Sequence, residues 1–384
     1  MKYTVLLLMI ATSIAAAQTR RDVQIVVDSI PREFIVSIPS STPPPGGWPI
    51  VVMFHGTTGD GEKFYNISGW KEKGAAENFV TVFPSSLAYR FYDDTVGTQI
   101  ARVTKWNCGE SLEKLVAGQT MKDDVRFVRI MIDTIVATLP IDRSRIYASG
   151  FSNGGVFVSK LAVDAGDIFA AVGPAGGAMN HLDSARAPYP VGILFSMGAD
   201  DRNVVEAAGR SLPMNDTGIT ILGRAVRRYI ACQGLDTVST PFVTPLTYSR
   251  RFATPQPGAA PTEFIVVIEA GLDHNYPNGR NYPIVMADVL WEFFSRHNRR
   301  STAVDKPAPP RAFGVYPHPA SDHLVVEGSG RMEFSLYSML GHRVFSATGE
   351  RGRALRLPAL PAGLYQAEVR SNGEILRRAV TIAR

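Results

Sequence analysis

Uninterrupted apolar runs recur along the first three quarters of the chain, and segments of helical periodicity lie between them. Residues 48–54 and 79–83 contain no charged side chain, which is typical of strands buried on both faces of a parallel sheet. Similar runs predict further strands at residues 22–28, 33–38, 145–149, 169–172, 191–197 and 264–269. Helical patterns are found at residues 70–78, 121–139, 156–163, 223–232 and 282–297. This alternation predicts an α/β fold with a doubly wound, mainly parallel sheet.

The pattern changes beyond residue 298. Residues 299–311 are polar and contain three prolines, as is typical of a linker. Short strand-like runs separated by turn residues follow, and they predict a small all-β sandwich over residues 312–384. The sequence therefore predicts an α/β domain over residues 18–298 and a β-sandwich domain after the linker.

The first 17 residues have the pattern of a secretory signal peptide. Lys2 supplies a positive charge, residues 5–11 are apolar, and Ala15 to Ala17 offer a cleavage site of small residues. The apolar run is too short to span a bilayer, so we expect an exported protein without stable membrane insertion.

The formal net charge of +5 is concentrated at one end of the chain. From Arg299 onward there are thirteen Lys and Arg and seven Asp and Glu, a net charge of +6, so the preceding residues carry about −1. No basic stripe with interleaved aromatic residues is present, and nucleic-acid binding is therefore not expected.

The chain has only two cysteines, Cys108 and Cys232, which is too few for a disulfide framework. One bridge in an oxidising compartment and two buried thiols are both compatible with the sequence. Neither cysteine has the spacing to other Cys or His residues that a metal site needs, so no metal site is expected.

The strongest chemical motif is Gly150-Phe151-Ser152-Asn153-Gly154-Gly155, which lies between a predicted strand and a predicted helix. A strand, Gly-x-Ser-x-Gly and a helix form the nucleophile elbow of α/β-hydrolases, in which the serine hydroxyl projects from a sharp turn. Glycines flank the serine because strand and helix must approach closely there. The motif predicts that Ser152 is a catalytic nucleophile.

A serine hydroxyl needs a neighbouring base, and that base needs a third group to orient it. In α/β-hydrolases the acid and then the histidine follow the serine, each after a later strand. Asp200 and Asp201 follow the predicted strand at 191–197, and His274 follows the strand at 264–269. We predict a triad of Ser152, Asp201 and His274, with Asp200 as the alternative acid.

The developing oxyanion of such a reaction needs two backbone N–H donors. One is expected from Asn153, the residue after the nucleophile, and the other from the loop after the strand at 48–54. That loop contains His55 and Gly56, so Thr57 is the predicted second donor and Thr58 its alternative. This chemistry needs no cofactor.

Several motifs in order give the region from about residue 23 to residue 297 a family resemblance. They are Phe54-His55-Gly56, Trp106-Asn107, Asp123 to Phe127, Asp142 to Tyr147, Gly150 to Gly155, Phe169 to Val172 and Gly271 to Pro277. The region resembles the extracellular esterases that group polyhydroxybutyrate depolymerases with feruloyl and acetylxylan esterases. The resemblance implies the same triad. Tyr276 replaces the usual Trp, and the loop at 106–109 is shorter than the cysteine-richer loop of many feruloyl esterases.

Residues 315–322, 340–342 and 360–365 resemble a second family, the sorting domain of the type IX secretion system of Bacteroidetes. His318 stands where that domain usually has Asn. The resemblance implies that residues 312–384 engage the secretion machinery and are often removed by proteolysis. A carbohydrate-binding or linker β-sandwich is the alternative.

Together these features predict a secreted serine esterase that hydrolyses feruloyl or acetyl esters of plant cell-wall polysaccharide. The alternatives are a polyhydroxybutyrate depolymerase, a serine peptidase with the same triad, and an inactive hydrolase fold that binds polysaccharide. Four aromatic residues are candidates for stacking on a substrate ring, although aromatic side chains more often fill cores: Tyr65, Trp70, Trp106 and Tyr276.

Overall fold

The structure, a computed structural model, divides into two compact units, Met1–Arg300 and Ser301–Arg384. It describes residues 18–92, 100–110, 112–179, 187–201, 221–253, 262–299, 315–316, 320–338, 343–361, 363–371 and 374–383. The predicted signal peptide at 1–17 lies outside these residues, as does the predicted linker at 299–311 except for its first residue. The two units are described separately.

The first unit alternates strands and helices. Its strands are β1 (Gln18–Val27), β2 (Ile30–Pro39), β3 (Trp48–Phe54), β4 (Val80–Pro84), β5 (Ala88–Tyr92), β6 (Ile100–Thr104), β7 (Ile141–Phe151), β8 (Ala171–Ala175), β9 (Gly192–Gly198), β10 (Ser239–Val243), β11 (Thr247–Ala253) and β12 (Glu263–Glu269). Its α-helices are α1 (Gly61–Ile67), α2 (Trp70–Glu77), α3 (Asp124–Thr138), α4 (Asn153–Asp164), α5 (Ile221–Gln233) and α6 (Met286–Phe294).

Ten of the strands that the structure describes form one sheet, in the order β1-β2-β4-β3-β7-β8-β9-β12-β11-β10. The six central strands, from β4 to β12, run parallel to one another. The pairs at both edges are antiparallel. The prediction of a parallel sheet therefore holds for the centre, and the edges make the sheet as a whole mixed.

Apolar side chains of the central strands alternate between two cores, one on each face of the sheet. In β3, Ile50 and Val52 belong to the core that includes residues of α3 and α4, whereas Val51 and Met53 belong to the core that includes residues of α6. Because both faces are covered, the strands carry uninterrupted apolar runs, as the sequence predicts.

Three features of this unit differ from the sequence prediction. The last helix begins at Met286 instead of residue 282, since Pro283 lacks a backbone N–H and restricts the residue before it. The hairpin of β5 and β6 was not predicted, because its strands are short and polar residues interrupt them. The outer strands β10 and β11 were also missed, since they lack an uninterrupted apolar run.

Every regular element described in the second unit is a strand, as predicted for an all-β unit. The strands are β13 (Val315–Tyr316), β14 (His323–Val326), β15 (Arg331–Ser338), β16 (Arg343–Glu350), β17 (Ala354–Arg356), β18 (Gly363–Ser371) and β19 (Glu374–Ile382). They form two antiparallel sheets, in the orders β13-β14-β17 and β16-β15-β18-β19. One apolar cluster joins both sheets through residues such as Leu324, Phe334 and Val369.

None of the helices in the described part of the chain is both long enough and apolar enough to cross a bilayer.

Candidate active site

Ser152 lies on the sharp turn between β7 and α4, as the Gly-x-Ser-x-Gly spacing predicts. Its φ of 54° and ψ of −122° are unusual for a residue with a Cβ, and such strain is frequent at functional sites. The flanking glycines make the turn possible. A Cβ on Gly150 would lie 2.3 Å from the carbonyl oxygen of Gly154, and a Cβ on Gly154 would lie 2.4 Å from that of His55.

Three of the predicted site residues meet at the carboxyl edge of the parallel strands. His274 Nε2 lies 2.9 Å from Ser152 Oγ, and His274 Nδ1 lies 2.7 Å from Asp201 Oδ2. An ionised carboxylate can only accept, so Nδ1 carries the proton and Nε2 is left to accept from the serine hydroxyl. Asp201 is 1% exposed, which strengthens its interaction with the imidazole. The arrangement is that of a nucleophile, a base and an orienting acid.

The two loops that carry Asp201 and His274 are joined by backbone hydrogen bonds. The N–H of Asp200 donates to the carbonyl oxygen of Leu272 over 2.9 Å, and the N–H of Ala199 donates to that of Glu269 over 2.8 Å. Asp200 is exposed, whereas the neighbouring Asp201 is buried against His274. Of the two candidate acids, the structure therefore brings Asp201 to the histidine.

The loop after β3 lies directly against Ser152. A Cβ on Gly56 would lie 3.2 Å from the Cβ of Ser152, so the Thr57 backbone follows immediately beside the elbow. The N–H of Thr58, the alternative donor, is used in a 3.0 Å hydrogen bond to the carbonyl oxygen of Thr104. Asn153 begins α4, where backbone N–H groups have no partner within the helix. The roles of Thr57 and Asn153 as oxyanion donors remain predictions.

His55 is fully buried beneath this loop, and both of its ring nitrogens have partners. Nδ1 donates to the carbonyl oxygen of Gly56 over 2.7 Å, and Nε2 accepts from the N–H of Ser86 over 3.0 Å. Burial lowers the pKa of His55 to about 4. The imidazole is therefore neutral near pH 7 and fixes the path of the loop.

Sequence reasoning missed a buried carboxyl group next to the site. Glu269 ends β12, is fully buried, and accepts a 2.8 Å hydrogen bond from the hydroxyl of Ser196. Burial raises the pKa of Glu269 to about 8. A glutamate that ends an otherwise apolar strand was the available indication, since charged residues are seldom fully buried.

Three of the four aromatic candidates for substrate stacking belong to the core instead. Trp70 and Trp106 are 0% exposed and Tyr276 is 4% exposed. Trp70 Nε1 donates to the hydroxyl of Tyr276 over 2.9 Å, and Trp106 stacks on Phe157. Tyr65 is half-buried, with the Nζ of Lys71 4.3 Å from its ring centre. For Trp70, Trp106 and Tyr276, the structure therefore favours core packing, the alternative that the sequence left open, over substrate stacking.

The two cysteines are buried thiols that do not form a disulfide with each other, which decides between the two alternatives left by the sequence. Within the described ranges, no group of three or more His, Cys, Asp and Glu side chains is arranged to hold a metal ion. The site that the structure offers is thus built from Ser152, His274 and Asp201 with the surrounding backbone.

Residues 314–383 match the family model described as a secretion system C-terminal sorting domain. Feruloyl esterase B from Piromyces equi is 28% identical over 50% of this chain and 33% of its own length. Poly(3-hydroxyalkanoate) depolymerase C from Paucimonas lemoignei is also 28% identical, over 35% of this chain and 28% of its own length. The chain thus spans about a third or less of the length of these two relatives.

The fold has a counterpart among solved structures. An acetyl xylan esterase from Aspergillus awamori superposes with a TM-score of 0.50 and 13% sequence identity, over 72% of this chain and 99% of that one. At this level of identity the likeness concerns the fold. The chain thus shares the fold of this solved structure, with a sheet whose central strands are parallel.

Proposed function

We propose that this protein is a secreted serine esterase in which Ser152, His274 and Asp201 form the catalytic triad. The observation that carries the proposal is the pair of hydrogen bonds that links the three side chains, at 2.9 Å and 2.7 Å. Similarity to proteins named feruloyl esterase, acetylxylan esterase and depolymerase supports ester hydrolysis as the reaction.

In the first half of the reaction, Ser152 Oγ attacks the ester carbonyl while His274 Nε2 takes its proton. Asp201 holds the imidazole in the required tautomer and stabilises the imidazolium that forms. The N–H groups of Thr57 and Asn153 stabilise the tetrahedral oxyanion. His274 then protonates the leaving alcohol, and the acyl group stays on Ser152.

In the second half, His274 takes a proton from water, which attacks the acyl-enzyme carbonyl. A second tetrahedral intermediate collapses, the acid is released, and the proton returns to Ser152. Apart from the ester and water, each proposed step uses only groups of the chain itself.

For the substrate we favour feruloyl or acetyl esters attached to plant cell-wall polysaccharide. Support comes from relatives named feruloyl esterase and acetylxylan esterase/xylanase. The similarity to a poly(3-hydroxyalkanoate) depolymerase favours a second candidate, a polyester of hydroxy acids. A serine peptidase would use the same triad, and an inactive fold that binds polysaccharide would not need it.

We further propose that the chain is organised as a signal peptide at 1–17, a catalytic domain at 18–298, a linker at 299–311 and a sorting domain at 312–384. The sorting-domain match supports export through the type IX machinery, to the medium or the cell surface. Cleavage of the sorting domain after export belongs to this proposal.

The test is hydrolysis by the purified protein of methyl ferulate, acetylated xylan and an oligomer of 3-hydroxybutyrate, with a feruloyl amide alongside. Ser152→Ala should lower turnover of the preferred ester by at least about 10⁴-fold, because the nucleophile is lost. Ser159→Ala, which changes a buried serine of α4, the helix that follows Ser152, is the matched control and should retain activity.

A Ser152→Ala variant with wild-type turnover would refute the triad. Faster cleavage of the amide than of the ester would favour a peptidase. Binding of xylan without release of any acid, by a folded protein, would favour the inactive binding fold.

A further inference from the structure

Residues 104–110, here named the bridging segment, contact both of the loops that supply the proposed oxyanion donors. On one side they hold the side chain of Asn153, which is 2% exposed. Asn153 Oδ1 accepts from the N–H of Trp106 over 2.7 Å. Asn153 Nδ2 lies 3.1 Å from Cys108 Sγ and 3.1 Å from Glu110 Oε2. The amide of Asn153 is thus held from several directions by one short stretch of chain.

On its other side the bridging segment holds the loop after β3. The carbonyl oxygen of Thr104 accepts from the N–H of Thr58 over 3.0 Å. The side-chain hydroxyl of Thr104 donates to the carbonyl oxygen of Gly59 over 2.6 Å. The indole N–H of Trp106 donates to the carbonyl oxygen of His55 over 2.9 Å. Thr57 lies between these anchored residues, so its backbone is fixed from both ends.

The bridging segment is itself anchored to the body of the unit. The N–H of Asn107 donates to Asp124 Oδ2 over 2.8 Å, and Asp124 forms a buried ion pair with Arg32 over 2.7 Å. The Trp106 ring stacks on Phe157 of α4, with ring centres 5.2 Å apart. A segment held in this way can act as a rigid spacer between the loops on either side.

We propose that the bridging segment sets the separation of the two oxyanion donors, with the Asn153 side chain and Trp106 as positioning residues. This inference rests on the proposed esterase function, and it assigns a role to side chains that never touch the substrate. Its physical basis is that an oxyanion donor helps only when it lies within hydrogen-bonding distance of the developing charge. Displacement of a donor by about 1 Å can lower the rate by about 100-fold.

Asn153→Ala tests the proposal because it removes the side-chain contacts and keeps the backbone N–H. We expect kcat on methyl ferulate or acetylated xylan to fall about 10- to 100-fold, while KM changes less than about threefold. The inhibition constant of benzeneboronic acid should rise by a similar factor, since its tetrahedral adduct with Ser152 places an oxygen at the same donors.

Trp106→Phe is the second variant. It keeps an aromatic ring against Phe157 but removes the N–H that bonds to His55, so it weakens the contact between the bridging segment and the loop after β3. We expect a smaller loss of kcat, about three- to tenfold, again with little change in KM. If Asn153→Ala shows no cooperative unfolding transition, the result for Trp106→Phe decides the question.

The matched control is Ser159→Ala, which also removes buried hydrogen bonds from α4, to Gly155 and Tyr229. It should lower the melting temperature but leave kcat and the boronic acid constant within twofold of the wild type.

Three outcomes would overturn the proposal. In the first, Asn153→Ala retains the wild-type kcat and the wild-type boronic acid constant while Ser152→Ala is inactive. This result refutes the positioning role of the bridging segment and leaves the esterase function intact. In the second, Ser159→Ala loses as much kcat as Asn153→Ala, which makes the effect one of stability. In the third, the wild-type protein hydrolyses no ester, which refutes both the proposed function and the positioning role of the bridging segment.

Discussion

The two halves of the candidate site are stabilised in different ways. On the nucleophile side, the buried ring of His55 and the buried amide of Asn153 have hydrogen-bond partners for their nitrogen and oxygen atoms. On the side of the acid and the base, Glu269 lies beneath both loops, and its Oε2 has no hydrogen-bond partner in the described part of the chain. A buried polar atom without a partner is costly to the folded state.

The His55 ring and the Asn153 amide thus have their partners and the Glu269 carboxyl lacks one, although the hydroxyl of Ser86 beside His55 also has none among the described residues. Backbone geometry dominates the nucleophile side, where glycines and a fixed loop place the atoms. Each side also holds a buried titratable group, His55 on the first and Glu269 on the second, and their pKa values are shifted so that stability falls towards acid for His55 and towards base for Glu269. We therefore expect the two halves to respond differently to substitution and to acid or base.

The largest expected effect comes from removing the acid that orients His274. Asp201→Asn should lower kcat about 10³- to 10⁴-fold, because the amide cannot hold His274 in the tautomer that accepts the serine proton. Steady-state hydrolysis of the preferred ester, compared with Asp200→Asn, measures the effect. Asp200 is exposed and should tolerate the change within about twofold. Equal losses in both variants would contradict the assignment of the acid.

A smaller effect is expected from Glu269→Gln, read from the pH dependence of stability. The pKa of Glu269 is about 8 in the folded protein and about 4.5 in the unfolded chain. Between these values the unfolded chain releases the proton that the folded state keeps, so this group makes the protein less stable as pH rises from about 4.5 to about 8. A glutamine cannot ionise, so the melting temperature of the Glu269→Gln variant should fall less than that of the wild type as pH rises over that range.

Glu263→Gln is the matched comparison on the same strand. Glu263 is buried, which raises its pKa, but hydrogen bonds with His297 and Arg251 outweigh burial and lower the pKa to about 2. Replacing Glu263 by Gln should destabilise the protein at neutral pH, because it removes a stabilising ionised group. Replacing Glu269 by Gln should have the opposite sign, because it removes a pH-dependent loss of stability. Identical pH profiles for Glu269→Gln and the wild type would show that Glu269 does not titrate as described.

The smallest effect is expected on the nucleophile side, at acid pH. The pKa of His55 is about 4 in the folded protein and about 6.5 in the unfolded chain. Stability should therefore decrease as pH falls from about 6.5 to about 4, because the unfolded chain binds the proton first. The His55→Gln variant should lack this decrease in stability towards acid pH, although it should be less stable than the wild type at pH 7. Calorimetry between pH 4 and pH 7 measures it, and an unchanged acid slope would contradict the assignment.

The sequence predicted the parts of the fold and of the site that depend on local patterns. Uninterrupted apolar runs located the central strands, and the Gly-x-Ser-x-Gly spacing located the elbow. The chain order of acid and histidine identified the residues that the structure brings to Ser152, although their catalytic roles stay predictions. Such features need only neighbouring residues or a topological rule.

Features that depend on distant contacts were not predictable in this way. The Asn153 amide meets residues more than forty positions earlier in the chain. Similarly, Glu269 is neutral only because the fold surrounds it, and nothing in its sequence neighbourhood requires that. The outer strands β10 and β11 carry several charged or polar residues, so their pattern does not separate them from loops.

The burial of Cys108 makes the bridging segment observable without labels introduced by mutation. Its thiol is 1% exposed and lies 3.1 Å from the Asn153 amide, so a maleimide reagent reaches it only when the segment opens. In a Cys232→Ser background, the rate of alkylation at Cys108 reports how often the bridging segment opens beside the proposed oxyanion donors. The alkylation rate of this native thiol thus measures the opening motion of the segment next to Ser152.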